Sequence, residues 1–178
     1  LQYAKGKYIA RIDADDVWHP EKLEKQVGFL NQHPEIGVLG TWYKNNTRKV
    51  QPPTTDEDIK RYICLRNPFG HSCVVIRKSL LDKVSDYDES LQYAQDRDLW
   101  FRLMPHTKFA NLPEILVTRE VGNTSDEKQD VQMRANITMI KKYAKLYRPP
   151  SASYLGLVEP YLVLLTPHWL RQLKRRTL

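Results

Sequence analysis

The chain predicts an α/β fold, and three observations carry that prediction. Short β-branched apolar runs alternate with amphipathic stretches at helical spacing, turn residues separate them, and no tract repeats. A length of 178 residues suits one domain plus an appendage. Hydrophobic residues at 41% and charged residues at 28% lie near the globular average, which argues against disordered and fibrous chains.

Leu1, Tyr3, Ala4 and Lys5 read as the end of a helix closed by Gly6, which predicts that further chain precedes them. Tyr8 to Ile12 is a short strand that delivers Asp13, Ala14, Asp15 and Asp16 to its C-terminal edge. Pro20 suits a first helical turn, and Leu23, Val27 and Leu30 then form the apolar face of a helix to about Asn31. Ile36 to Tyr43 is a second strand, followed by a polar turn from Lys44 to Arg48. Thr55 caps a helix through Ile59, Tyr62 and Ile63. Ser72 to Ile76 is a buried strand, a short helix starts near Ser79, and Asp86 to Glu89 is turn chemistry. Asp98 to Leu103 is helical and ends before Pro105, and Ile115 to Thr118 is a strand beyond Pro113. A helix capped by Ser125 runs through Met133, Ile137, Ile140 and Ala144 to about Tyr147. Beyond it, Pro160 and Pro167 break an amphipathic piece into short segments.

Lys and Arg number 28 against 21 Asp and Glu, for a net charge of +7, part of it from Arg171, Lys174, Arg175 and Arg176 near the C-terminus. Such a balance fits nucleic acid, an anionic membrane or a phosphorylated substrate. Aromatic and basic residues do not interleave on one element, so nucleic acid is disfavoured. Trp169 and Leu170 beside the basic residues fit an anionic membrane surface, or equally a helix packed back on the domain. Cys64 and Cys73 have neither disulfide-framework nor metal-knuckle spacing, which fits a reducing compartment and a cytoplasmic location. No apolar run reaches the roughly 18 residues a membrane-crossing helix needs, and the start does not read as a signal peptide.

Two constellations can carry chemistry. Carboxylates as close as Asp13, Asp15 and Asp16 repel, and a divalent cation relieves the repulsion. On a strand, alternate residues point the same way, so Asp13 and Asp15 can address one site; a solvated acidic turn is the plain alternative. Asp96, within Gln95 to Trp100, sits at the mouth of a helix, where a carboxylate serves as a cap or as a general base. His71 and Trp100 are weaker candidates, since a loop His is commonly structural and an aromatic beside Leu99 and Leu103 is commonly core.

Taken together, Gly6 to Asp16 with Pro20 and Leu23 to Gln26, Ile36 to Gly40, Asn67 to Ser72, and Gln95 to Leu103 form an ordered series that resembles family 2 glycosyltransferases. The resemblance implies a GT-A-like mixed sheet with flanking helices, here truncated at the N-terminus and followed by a C-terminal helical extension. It divides the chain into 1–125, the D-x-D segment and acceptor-side part of the catalytic domain, and 126–178, the helical extension with its basic tail. It implies an inverting transfer of sugar from a nucleotide-diphosphate donor, a UDP-sugar, to a glycan or lipid-linked acceptor in bacterial surface polysaccharide synthesis. Asp13 and Asp15 would hold Mn²⁺ or Mg²⁺ and the donor diphosphate, with Arg11 beside them. Asp96 would be the base, and His71 and Trp100 would line the acceptor side. The enzyme would work in the cytoplasm, peripherally on the inner face of the membrane.

Gln95–Asp96 stands where the family has a Glu–Asp pair, and Arg119, Glu120 and Val121 stand where it commonly has Arg-x-His, which predicts weaker metal affinity. With the family's nucleotide-binding strands almost wholly missing before the D-x-D segment, the chain alone is expected to bind a nucleotide base poorly. Two other readings remain: a catalytically silent module docking on membranes or partners through 153–178, and a haloacid-dehalogenase-type phosphatase with Asp13 as nucleophile. The second lacks a convincing downstream lysine and acid pair.

Overall fold

The computed structural model describes residues 3–46, 48–120, 126–144 and 151–167, with side chains from 127 in the fifth helix and from 156 in the sixth. The predicted cap at Ser125, the helix end near Tyr147 and the basic tail with Trp169 lie outside the described residues, as does Leu1. Tyr3 sits in a turn, and Ala4 and Lys5 are outside regular structure.

The apolar runs form strands β1 (Tyr8–Ala10), β3 (Ile36–Asn45), β5 (Val75–Arg77) and β6 (Lys108–Arg119), with two short additions, β2 (Val17–Trp18) and β4 (Arg48–Val50). They make one mixed sheet in the order β1-β5-β3-β6-β2, and β4 hairpins back onto β3. β3 is the hub: it runs antiparallel to β5 at Val38↔Ile76 and to β4 at Tyr43↔Val50, and parallel to β6 from Ile36↔Lys108 to Asn45↔Arg119. β2 and β4 escaped prediction because Val17–Trp18 is too short to show a period and Arg48–Val50 is mostly charged, unlike the equally short apolar runs of β1 and β5.

Period-two alternation divides the strands between two cores. Val38, Ile76 and Phe109 face one cluster, and their neighbours Leu39, Val75 and Ala110 face the other. The first is covered by α2 (Asp56–Tyr62), α4 (Gln95–Leu103) and α5 (Asp126–Tyr143), which supply Ile59, Leu99, Phe101, Met139 and Ile140. The second is covered by α1 (Lys22–Gln32) through Leu30. The predicted fold, a mixed sheet flanked by helices, is the one observed.

Several elements differ in detail. The buried face of α1 is Lys22, Gln26 and Leu30, whereas Leu23 is exposed. Gln26 earns its place by donating from Nε2 to the carbonyls of Leu39 and Cys73, both at 2.9 Å. The strand expected from Ser72 begins with a 3-10 turn, His71–Cys73, and only then becomes β5. β6 is longer than Ile115 to Thr118. It runs through Pro113, because two residues bulge out between the pairs Thr41↔Leu112 and Trp42↔Ile115, and the Thr41 hydroxyl takes the Glu114 carbonyl. Thr55 caps α2 as expected, accepting from the Asp58 amide at 3.3 Å, and α3 (Lys78–Val84) starts where the helix near Ser79 was predicted.

α6 (Ser151–Leu165) runs through Pro160, which does not break it. Its Gly156 lies so close to the Cys64 carbonyl that a Cβ would stand 1.8 Å from the oxygen, and Glu159 pairs with Arg66 at 3.1 Å. Docking against the end of α2 and against α5 holds the segment helical despite the missing N–H. Among the described residues no helix is long and apolar enough to cross a membrane.

Candidate active site

β1 ends at Ala10, so the acids leave the sheet before Asp13 and the strand alternation that was to align Asp13 with Asp15 does not apply. They form a turn instead, closed by the Asp16 amide donating to the Asp13 carbonyl at 3.1 Å. Ser72, wholly buried on the 3-10 turn, anchors it twice: its Oγ accepts from the Asp13 amide at 3.0 Å and its carbonyl from Trp18 Nε1 at 2.8 Å. Asp13 is half-buried with its Oδ1 3.3 Å from Arg11 Nη2, while Asp15 is exposed on the turn.

Arg11 also lies over the Tyr87 ring, 5.6 Å from its centroid, and the Tyr87 hydroxyl stands 3.2 Å from His71 Nε2. Burial pulls the His71 imidazole below its ordinary value; Asp96 and Asp13 oppose the shift, and Arg11 and Arg119 reinforce it. The ring is therefore neutral at pH 7 and able to accept or donate one hydrogen bond. Arg11 and Tyr87 thus link Asp13 to His71, and Asn67, in the loop just before His71, holds Asp96, so the acid turn and α4 face one region.

Asp96 sits in the first turn of α4 but does not cap it. The cap is Ala94, in the left-handed region at φ 60°, with no side-chain cap bond. Asp96 Oδ1 instead accepts from the Arg97 amide at 2.7 Å and Oδ2 from Asn67 Nδ2 at 2.6 Å. The Asn67 loop is itself held by Asn111, whose amide donates to the carbonyls of Pro53 at 2.6 Å and Pro68 at 3.2 Å. Only glycine fits at position 40 beside this arrangement, since a Cβ there would meet Asn111 Oδ1 at 2.0 Å.

Beneath the turn lies a buried polar layer. Asp16 faces Arg119 Nε at 3.4 Å, an ion pair without hydrogen-bond geometry, and the Arg119 guanidinium stacks 5.4 Å from the Tyr43 centroid. Lys22 is wholly buried with Nζ 4.0 Å from the Trp18 ring centroid and no hydrogen-bond partner among the described residues; burial lowers its pKa to about 8.

Of the predicted site residues, Arg11, Asp13, His71 and Asp96 are brought to one region, and Asp15 remains on the exposed part of its turn. Trp100 is corrected: it is 0% exposed and packs edge-on against Phe69 at 5.3 Å, so its ring is core and cannot stack on a sugar. Arg102, a helix-face charge by sequence, clamps the chain after α3 by donating to the carbonyls of Val84, Ser85 and Asp86. Sequence reasoning missed the roles of Ser72, Asn67, Tyr87 and the Asp16–Arg119 pair. Ser72 and Asn67 lie within a segment it had marked, and Asp16 adjoins the acid pair, but nothing local distinguishes Tyr87.

No group of three His, Cys, Asp or Glu side chains is gathered as a metal set among the described residues. Two carboxylates on one turn still suit Mg²⁺ or Mn²⁺, which commonly takes one or two protein oxygens and completes its shell from substrate phosphates.

A mixed sheet covered on both faces, with an acidic turn leaving its edge strand toward a helix-borne carboxylate, defines a GT-A-like transferase fold. The fold is also that of a mannosyltransferase from Pyrobaculum calidifontis, solved with GDP-Man and Mn²⁺, at TM-score 0.63 and 15% identity over 91% of this chain and 48% of that one. S. aureus TarS, solved with UDP, matches at TM-score 0.55 and 21% identity over 80% and 43%. The family model for glycosyl transferase family 2 matches residues 1–89, and the chain belongs to that family. Among its relatives is the amylovoran biosynthesis glycosyltransferase AmsE of Erwinia amylovora, 33% identical over 83% of this chain and 56% of that protein. The chain spans about half the length of the curated relatives it matches.

Proposed function

We propose that this chain carries the diphosphate- and acceptor-facing part of an enzyme that moves a sugar from a nucleotide-diphosphate donor onto a glycan or lipid-linked acceptor. The observation that carries the reading is Asp13, on the acid turn and linked through Arg11 and Tyr87 to His71, together with Asp96, on a helix and held by Asn67 in the same loop as His71. Family membership supports it and sets the phosphatase reading aside.

Asp96 takes the proton from the acceptor hydroxyl as that oxygen attacks the anomeric carbon, and a single displacement with one base inverts the configuration. Asn67 orients the carboxylate by holding Oδ2. Asp13 and Asp15 would hold Mn²⁺ or Mg²⁺, which when bound would supply Lewis-acid stabilisation of the charge on the leaving diphosphate, and Arg11 adds a cation toward that diphosphate. Ser72 fixes the Asp13 backbone, and neutral His71 offers a hydrogen bond to the acceptor.

The UDP complex of one structural neighbour supports a UDP-sugar, and the amylovoran relative supports surface polysaccharide synthesis. In this reading residues 1–125 are the catalytic portion and 126–178 the extension, to which α5 and α6 belong. One feature favours peripheral docking on the inner membrane face: Val158, Leu162 and Leu165 on α6 are 52%, 59% and 78% exposed, just before the basic tail. The same feature is what a silent docking module would need.

The test is sugar transfer by the intact protein from UDP-sugars with Mn²⁺. Asp96→Asn should reduce kcat by two orders of magnitude or more with donor binding kept, and Asp15→Asn should abolish metal-dependent transfer. Full turnover by the Asp96 variant would remove it as base. Absence of transfer, together with liposome binding lost on deleting 153–178, would favour the silent module.

A further inference from the structure

A cleft of about 350 Å³ opens between the β3–β4 hairpin and the chain that follows α2. Arg48 and Lys49 line it from the hairpin, Arg66 from the other side, and Tyr43 and Tyr62 contribute aromatic wall. No lining residue is acidic. The nearest counter-charge is Glu159 of α6, which pairs with Arg66 at 3.1 Å, and neither Arg48 nor Lys49 has an ion pair among the described residues. Asn45, also in the lining, leaves its buried Oδ1 without a hydrogen-bond partner among the described residues. Arg48 and Lys49 are exposed with no acid in the lining, so an anion entering the cleft meets positive charge from the hairpin and from Arg66 opposite.

One end of the cleft is Asn67, the residue whose amide holds Asp96. The cleft therefore reaches the candidate base by way of Asn67. A molecule seated in the cleft lies beside the residue that holds the candidate base.

We propose that this cleft binds a diphosphate oxyanion of the acceptor, held by Arg48, Lys49 and Arg66. The assignment rests on the transferase reading above and names the acceptor class within it. A diphosphate brings enough charge to match three cations with one partly committed, which a single carboxylate does not, and guanidinium groups engage phosphate oxygens in pairs. The same chemistry could come from the donor's nucleoside diphosphate, and the experiment separates the two.

The probe is labelled inorganic pyrophosphate in equilibrium dialysis against the intact protein, in EDTA so that no metal holds it at the acid turn. Binding should weaken as salt rises and fall at least tenfold in the double variant Arg48→Gln with Lys49→Gln, whose side chains are exposed. Arg66→Gln should lower it from the opposite wall. Excess UDP should leave the bound pyrophosphate in place. Absence of binding, wild-type affinity in both variants, or displacement by UDP would each overturn the proposal, the last by assigning the cleft to the donor. Sugar transfer measured in parallel keeps the two readings apart: transfer without cleft binding defeats this inference alone, and cleft binding without transfer leaves an anion site but defeats the transferase reading and with it the acceptor assignment.

Discussion

Asp96 and Asp98 stand two residues apart in the first turn of α4 and live in opposite worlds. Asp98 is 0% exposed and satisfied from three directions: Tyr143 donates at 2.6 Å, Lys142 at 2.9 Å and Arg102 at 2.8 Å. Burial pushes its carboxyl up, but the three donors outweigh burial and hold it below the usual range. Asp96 is partly open, and among the described residues its hydrogen-bond donors are an amide and one backbone N–H. A carboxylate surrounded by cations is spent on tying α5 to α4, whereas one held by neutral donors keeps a lone pair for a proton. Position on the helix, which is all the sequence shows, does not separate them.

The strongest way to break this comparison is Asp98→Asn. It leaves Arg102 and Lys142 facing an amide and should cost about 3 kcal/mol, discounted for the partial exposure of both cations, read as a lowered Tm or urea midpoint. Asp96→Asn should do the reverse, changing stability by less than about 1 kcal/mol while kcat falls about a hundredfold. A large stability loss at 96 with little effect on turnover would exchange the two roles.

Lys22 sharpens the contrast from a third side, as a buried charge whose neighbour is a ring instead of a carboxylate. The unfolded chain keeps its proton up to an ordinary 10.5, and the folded protein releases it near 8. Between those values the unfolded state binds more protons, so stability rises with pH through that window and is lowest below it, by up to about 3 kcal/mol. Lys22→Met should raise stability at pH 7 and flatten that part of the profile, measured by urea unfolding between pH 7 and 10. The smallest effect is expected at Ser72→Ala. Losing the acceptor for the Asp13 amide should cost about 1 kcal/mol and raise the apparent metal requirement several-fold with kcat little changed at saturating metal. Rescue by Ser72→Thr would tie the effect to the hydroxyl.

Much of the fold was legible because β3 and β6 carry long runs, β1 and β5 are short but apolar, and Thr55 announces α2 by its own chemistry. The acid turn and Asp96 were visible as residue types at helix and strand boundaries. Trp100 was misplaced because a helix-borne aromatic reads alike on either face until Phe69 is seen to cover it. Lys22 on the buried face of α1 contradicts the hydrophobic pattern outright, and only Trp18, arriving from an unpredicted two-residue strand, explains it. Tyr87 and Arg119 join the site from loops and strand ends far along the chain, where no local pattern records the meeting.

The parallel pairing of β3 with β6 has a consequence for the order in which the molecule assembles. Ile36 meets Lys108 and Asn45 meets Arg119, contacts across a long stretch of chain whose closure is slow compared with a hairpin such as β3–β4. Until β6 arrives, β2 has no strand to pair with and Asp16 has no Arg119. The polar layer beneath the acid turn is thus among the last parts to close: Ser72 can hold Asp13 before β6 is in place, but Asp16 gains its counter-charge only afterwards.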